Sequence, residues 1–243
     1  MSDSLSIDFL LIVPQRENEL YNTWKTALNS KLPSALANRF SFLRCKLNDL
    51  LPDTRFDAIV SPANSYGRLD GGFDAGIAFL LSPAEPTHLT QHIQTHIFQT
   101  HRGFVAPGTT VLVPLPSDLA EAQSRGTGCT HILLCPTMHW PNDVRWNKDV
   151  VYNTTWGILT EIDRHNRTCQ PSERISRVLM PALGTGTGRI PPRRFTEQFA
   201  LAVRNFDESL RKPEKWSAMR AEDAQRVWRE LVLTWEGEDI VTQ

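Results

Sequence analysis

Asn64 and Asp74, ten residues apart, bring a carboxamide and a carboxylate to one short stretch, groups that can bind hydroxyls and move protons. A carboxylate ionised at neutral pH can take a proton from a water within hydrogen-bond reach. A carboxamide donates and accepts at once, which suits a ribose diol. Both also have plain structural uses, since Asn steadies loops through its own backbone and Asp caps helices. They sit in a strand, loop and helix. Ala58-Ile59-Val60 is an apolar run of strand length. The chain then breaks into Pro62, Asn64, Ser65, Gly67, Gly71 and Gly72, and closes on a helical stretch, Phe73 to Leu81. Such a unit presents backbone N–H groups at the strand's carboxyl end, a common place for phosphate to bind. Gly71, Gly72 and Gly76 let the backbone approach a ligand with no side chain between.

A second unit of this kind runs from Val178 through Gly184-Thr185-Gly186-Thr187-Gly188-Arg189 to a helix starting near Pro192. Its N–H groups and the Thr185 hydroxyl could meet phosphate oxygens, with the helix dipole adding a favourable potential. Two such loops from separate strands of one sheet suggest a diphosphate site. Upstream, Asp49 follows a strand in a polar turn, where its carboxylate could accept from an amino group or cap a turn.

In this order the segments resemble the macrodomains, a family that binds ADP-ribose. Asp57-Ala58-Ile59-Val60-Ser61-Pro62-Ala63-Asn64 is similar to the family's Asp-Ala-Ile-Val-Asn-Ala-Ala-Asn, and the step from Asn64 to Asp74 matches the spacing of its hydrolase branch. Asn48-Asp49-Leu50 stands where the family has Gly-Asp-Ile, and Pro181 to Pro191 is similar to Pro-Ala-Ile-Ser-Thr-Gly-Val-Phe-Gly-Tyr-Pro. The resemblance covers residues 40 to 210 or so. It implies Asp49, with Leu50, at the adenine amino group and Asn64 on the distal ribose. Asp74 would position or deprotonate the attacking water, and Ala63, Gly71, Gly72, Phe73 and the run Gly184 to Arg189 would surround the ligand. The activity implied is hydrolysis of ADP-ribose from mono-ADP-ribosylated acidic side chains. The alternatives are phosphatase action on ADP-ribose-1″-phosphate and a reader that binds ADP-ribose unchanged. No metal or cofactor is implied, because the substrate's own phosphate can help orient the water.

The chain departs from the family at several positions. Ser61 and Pro62 replace Asn and Ala at the strand end, and Asp70 replaces a glycine, adding negative charge near a polyanion. Gly188 stands where hydrolases commonly place an aromatic ring, and Arg189 replaces a glycine. The expectation is that loss of the ring leaves room, and that Arg189 meets an extra phosphate with its planar fork of donors.

Strands alternate with helices along the chain, which predicts a three-layer α/β fold; the resemblance implies the same α/β/α architecture with a central mixed sheet. Strands are expected over residues 5–13, 40–47, 108–115, 130–136 and 176–183, and helices over 17–31, 88–101 and 149–164. The connection 116–128 is polar, with room for a short helix. A helix with Phe195, Phe199, Val203 and Phe206 on one stripe follows the second loop. A final helix, Trp216 to Trp235, is expected to dock through its tryptophans. The whole chain, 1–243, reads as one domain, with the first strand–helix unit and the last helix as additions to the motif-bearing core.

The bulk properties are those of an ordinary globular protein: 40% hydrophobic, 22% charged, formal net charge -1. That balance provides no overall field for nucleic acid or an anionic membrane. The start Met-Ser-Asp-Ser lacks the pattern of a signal peptide, and no apolar run reaches the ~20 residues of a membrane span. An intracellular location, cytoplasmic or nuclear, is expected. Cys45, Cys129, Cys135 and Cys169 form no Cys-x-x-Cys pair and read as buried free thiols. His88, His92 and His96 share one helix face, as metal-binding pairs do, but no further ligand completes the set and a solvated face is expected. His139-Trp140-Pro141-Asn142-Asp143 follows a strand at the sheet's carboxyl edge, where ligands of α/β proteins bind.

Overall fold

In the computed structural model, residues 4–116, 119 and 126–235 are described. The chain begins with β1 (Asp8–Ile12), α1 (Asn18–Lys31), the short α2 (Ser34–Ala37) and β2 (Phe40–Leu43). A 3-10 turn (Leu47–Asp49) precedes β3 (Ala58–Ser61), α3 (Gly72–Leu81), α4 (Pro86–His101), β4 (Val111–Pro114) and β5 (His131–Leu134). Then come α5 (Val150–Thr168), β6 (Arg177–Pro181), α6 (Pro192–Arg211), α7 (Pro213–Ser217) and α8 (Ala221–Val232). The short helix considered for the connection 116–128 falls mostly outside the described residues.

Six strands form one sheet in the order β2-β1-β6-β3-β5-β4. All neighbours pair in parallel except β4, which runs antiparallel to β5 at the edge. Period-two alternation sends successive side chains to opposite faces. Ala58, Val60, Val178 and Met180 join one core cluster, while Ile59 and Leu179 join the other. The first cluster is covered by α1, α5 and α6, the second by α3 and α4, which makes three layers. On the first face the wholly buried Trp24 of α1 meets Phe195 at 4.8 Å and Phe199 at 5.3 Å, both edge-on. The unit β1–α1, read from sequence as an addition, thus stands inside the sheet between β2 and β6.

The C-terminal helix expected over 216–235 is two helices, α7 and α8, parted at Ala218–Arg220 where the backbone leaves the helical region. Its two anchors explain the break. Trp216 packs on Trp156 with centroids 5.2 Å apart, and the Trp235 Nε1–H donates to Asp149 Oδ1 at 2.8 Å. Trp156 and Asp149 are only ~10 Å apart along a helix, whereas an unbroken helix from 216 to 235 would span ~28 Å. Trp228, expected to dock as well, is 55% exposed. The thiols are free; Cys129 and Cys135 are buried, but Cys45 and Cys169 are only half-buried.

Candidate active site

The two glycine loops leave β3 and β6, which are parallel neighbours, and so emerge side by side at the sheet's carboxyl edge. A third loop, Cys135 to Asp149, leaves the parallel strand β5 at the same edge. Backbone hydrogen bonds tie the three together. Cys135 N–H donates to Ser61 O at 2.9 Å, Ser65 N–H to Met138 O at 3.0 Å, and Val144 N–H to Gly188 O at 3.0 Å. Buried side chains of α6 hold the third loop from below. Arg194 Nη1 donates to Arg145 O at 3.0 Å, and Gln198 Nε2 to Lys148 O at 2.6 Å. Neither residue stands out in the sequence; both occupy helix positions that an apolar pattern would assign to core.

Asp74 is the third residue of α3 and is 9% exposed. It does not cap the helix: the N-cap is Gly71, with no side-chain cap hydrogen bond. Instead Ser61, fully buried at the end of β3, donates its hydroxyl to Asp74 Oδ1 at 2.7 Å. Burial pushes the Asp74 carboxyl up to about 7; the Ser61 hydrogen bond pulls the other way, and the Asp70 carboxylate adds to the rise. Such a group is half-ionised near neutral pH, the range suited to general-base work. Asp70 itself is exposed and forms an ion pair with Arg68.

Asn64 is buried, and its carboxamide is engaged with its own loop. Oδ1 accepts from Tyr66 N–H at 3.0 Å and Arg68 N–H at 3.5 Å, while Nδ2 donates to Arg68 O at 3.3 Å. The second Nδ2 hydrogen is left for another acceptor. Ala63 is wholly buried beneath the loop, and Phe73 is half-buried. Gly71 and Gly72 open onto free space, and Gly72 has φ +56, which favours glycine. The uncapped first turn of α3 leaves its N–H groups without helical partners.

In the second loop, Gly186 and Thr187 are exposed, and among the described residues no backbone carbonyl accepts from N–H groups 185 to 188. The Thr185 hydroxyl donates to Ala182 O at 3.2 Å, so its proton is used within the loop. Gly188 does not leave room. A Cβ there would lie 2.6 Å from Gly184 O and 2.8 Å from Val144 Cγ2, so backbone and Val144 fill the space where a ring was expected to be missing. Arg189 has φ +56, rare for a residue with a Cβ, and its side chain is 71% exposed, 4.0 Å from Asp143 Oδ2.

The turn bearing Asp49 lies against α3. A Cβ at Gly76 would come within 3.2 Å of Leu47 Cδ2, so glycine there lets the turn sit close. Asp49 is exposed and Leu50 packs partly onto the core. Exposed aromatics stand beside the first loop, with Tyr66 edge-on to Phe104 and Phe104 to His139 at 5.9 Å and 5.5 Å. Trp140, 60% exposed, is not a core residue. Among the described residues, no group of three His, Cys, Asp or Glu is arranged to hold a metal, and no helix is long and apolar enough to cross a membrane.

No protein-family model matches the chain. No curated protein matches it either. Among solved structures it is similar to an Oceanobacillus iheyensis macrodomain with MES bound, at 13% identity over 75% of this chain and 87% of that one, TM-score 0.46. It is similar to the macrodomain of Mycobacterium tuberculosis DarG, at 19% identity over 65% and 88% of the two chains, TM-score 0.45. A mutant of the Oceanobacillus iheyensis macrodomain with ADPR aligns at 12% identity over 73% and 89%, TM-score 0.46.

Proposed function

We propose that the chain is a macrodomain-type ADP-ribose-binding protein that hydrolyses ADP-ribose from mono-ADP-ribosylated acidic side chains. The observation that carries this reading is Asp74, a buried carboxylate pushed up to about 7 in the first turn of α3, directly after a glycine loop whose strand lies beside the strand bearing the second loop. The loop N–H groups take the diphosphate, which sets the distal ribose over the end of β3. The Nδ2 hydrogen that Asn64 keeps outside its loop goes to a ribose hydroxyl. Asp49, exposed on its turn, accepts from the adenine amino group.

The chemical step requires one base. Asp74 accepts a proton from water as the water oxygen bonds to the anomeric carbon. The bond from that carbon to the ester oxygen breaks, and the acidic side chain leaves as its carboxylate. The Ser61 hydrogen bond holds one Asp74 oxygen, leaving the other to face the water.

A second reading rests on Arg189. Its exposed guanidinium, beside the second loop, suits a phosphate on the distal ribose, as in ADP-ribose-1″-phosphate.

The test is release of free ADP-ribose from a glutamate-linked mono-ADP-ribosylated protein, wild type beside Asp74→Asn. Loss of a general base predicts a fall of about 10²-fold or more in rate with ADP-ribose affinity kept. Equal rates in both proteins would remove Asp74 from the chemistry. If the wild type releases nothing while binding ADP-ribose, the reader replaces the hydrolase, and turnover of ADP-ribose-1″-phosphate alone would favour the phosphatase.

A further inference from the structure

A separate cavity of about 650 Å³ lies where α1, α6, α7 and α8 meet, lined by residues 30–33 and by side chains of the last three helices. That volume is within the roughly 300–1,000 Å³ of small-molecule sites. Its lining is cationic. Lys31, Arg204, Arg211, Lys212, Lys215 and Arg226 border it, against the carboxylates of Glu208 and Glu230.

The ion pairs leave positive charge uncompensated. Arg204 pairs with Glu230 and Arg211 with Asp207, one cation to one carboxylate, while Arg226 shares Asp223 with Arg220. Lys212 and Lys215, however, share the single carboxylate of Glu208 at 3.0 Å and 2.9 Å. Lys31 has no ion pair among the described residues. Among the described residues, at least two positive charges are therefore in excess around one cavity, in a chain whose formal net charge is -1. The arginines also keep N–H donors beyond those their pairs use.

We infer that this cavity binds a small phosphorylated ligand, its dianionic phosphate held by Lys31 and the Lys212–Lys215 pair with the arginines as further donors. A phosphate monoester carries about -1.5 to -2 at pH 7, which matches the excess. The inference does not depend on the glycine loops.

Calorimetric titration with pyrophosphate, wild type beside a Lys31→Gln, Lys215→Gln double variant and beside Gly186→Glu, is the test. Loss of charge-assisted hydrogen bonds predicts at least about tenfold weaker binding in the double variant. In Gly186→Glu, which obstructs the second glycine loop and so removes diphosphate binding there, a saturable site with the cavity's affinity should remain. Absence of saturable binding to the wild type, equal affinity in the double variant, or loss in Gly186→Glu alone would each overturn the inference. Thermal melting of the double variant checks that it is folded. Should it melt lower, the single variant Lys31→Gln, which breaks no ion pair among the described residues, decides the matter.

Discussion

Asp74 is held between opposed influences, and the balance is measurable. An isolated aspartate titrates near 3.8 and this one near 7. Between those values the folded protein keeps a proton that the unfolded chain has released, so stability falls as pH rises through that window. The penalty above it is on the order of 4 kcal/mol. Asp74→Asn, which carries no charge, should therefore melt higher than wild type at pH 8, and the gap should close toward pH 4. A gap of equal size at both pH values would mean that Asp74 is not buried as described. Ser61→Ala removes a hydrogen bond that favours the ionised carboxylate, so the pKa must rise further. The limb on which the proposed hydrolysis rises with pH should then move to higher pH, while a merely structural Ser61 would lower the rate without moving the limb.

At the scale of elements, each catalytic candidate is placed by a packing requirement. Gly188 belongs to the turn that receives Val144, and the third loop depends on that contact. Gly188→Ala, whose Cβ would meet backbone at 2.6 Å, should destabilise by about 1–3 kcal/mol. Denaturant unfolding reads that change, and an unaltered midpoint would mean that the turn rearranges freely. Both loops were legible in the sequence from their glycines and the apolar runs before them. What it could not find was how each side chain is used, because hydrogen-bond partners come from elsewhere in the fold. Ser61 and Asp74 are thirteen residues apart, and only the packing of α3 on β3 joins them. Asn64, by contrast, finds its partners within four residues, the local use that its residue type already suggested.

For the whole molecule, the first strand–helix unit is part of the core. Trp24→Ala should cost about 3–5 kcal/mol and lower the entire unfolding transition. Trp228→Ala, on an exposed face, should stay within about 0.5 kcal/mol. If Trp24→Ala instead produced a separate early transition with the rest of the melt unchanged, the unit would be an appendage after all. The cavity between α1 and the C-terminal helices belongs to this scale too, since its cations come from distant segments and no local motif announces it.

Local patterns in the sequence determined the strands, the glycine loops and the layer arrangement, because strand length, helical periodicity and glycine content act over a few neighbours; the candidate residues came from the resemblance those segments carry. Strand order placed β1 inside the sheet, and long-range packing gave Asp74 its hydroxyl partner and neutral-range acidity. Close approach of Val144 filled the space at Gly188, and two anchors on α5 broke the last helix. Those outcomes depend on burial and on contacts between distant segments, which exist only once the chain has folded.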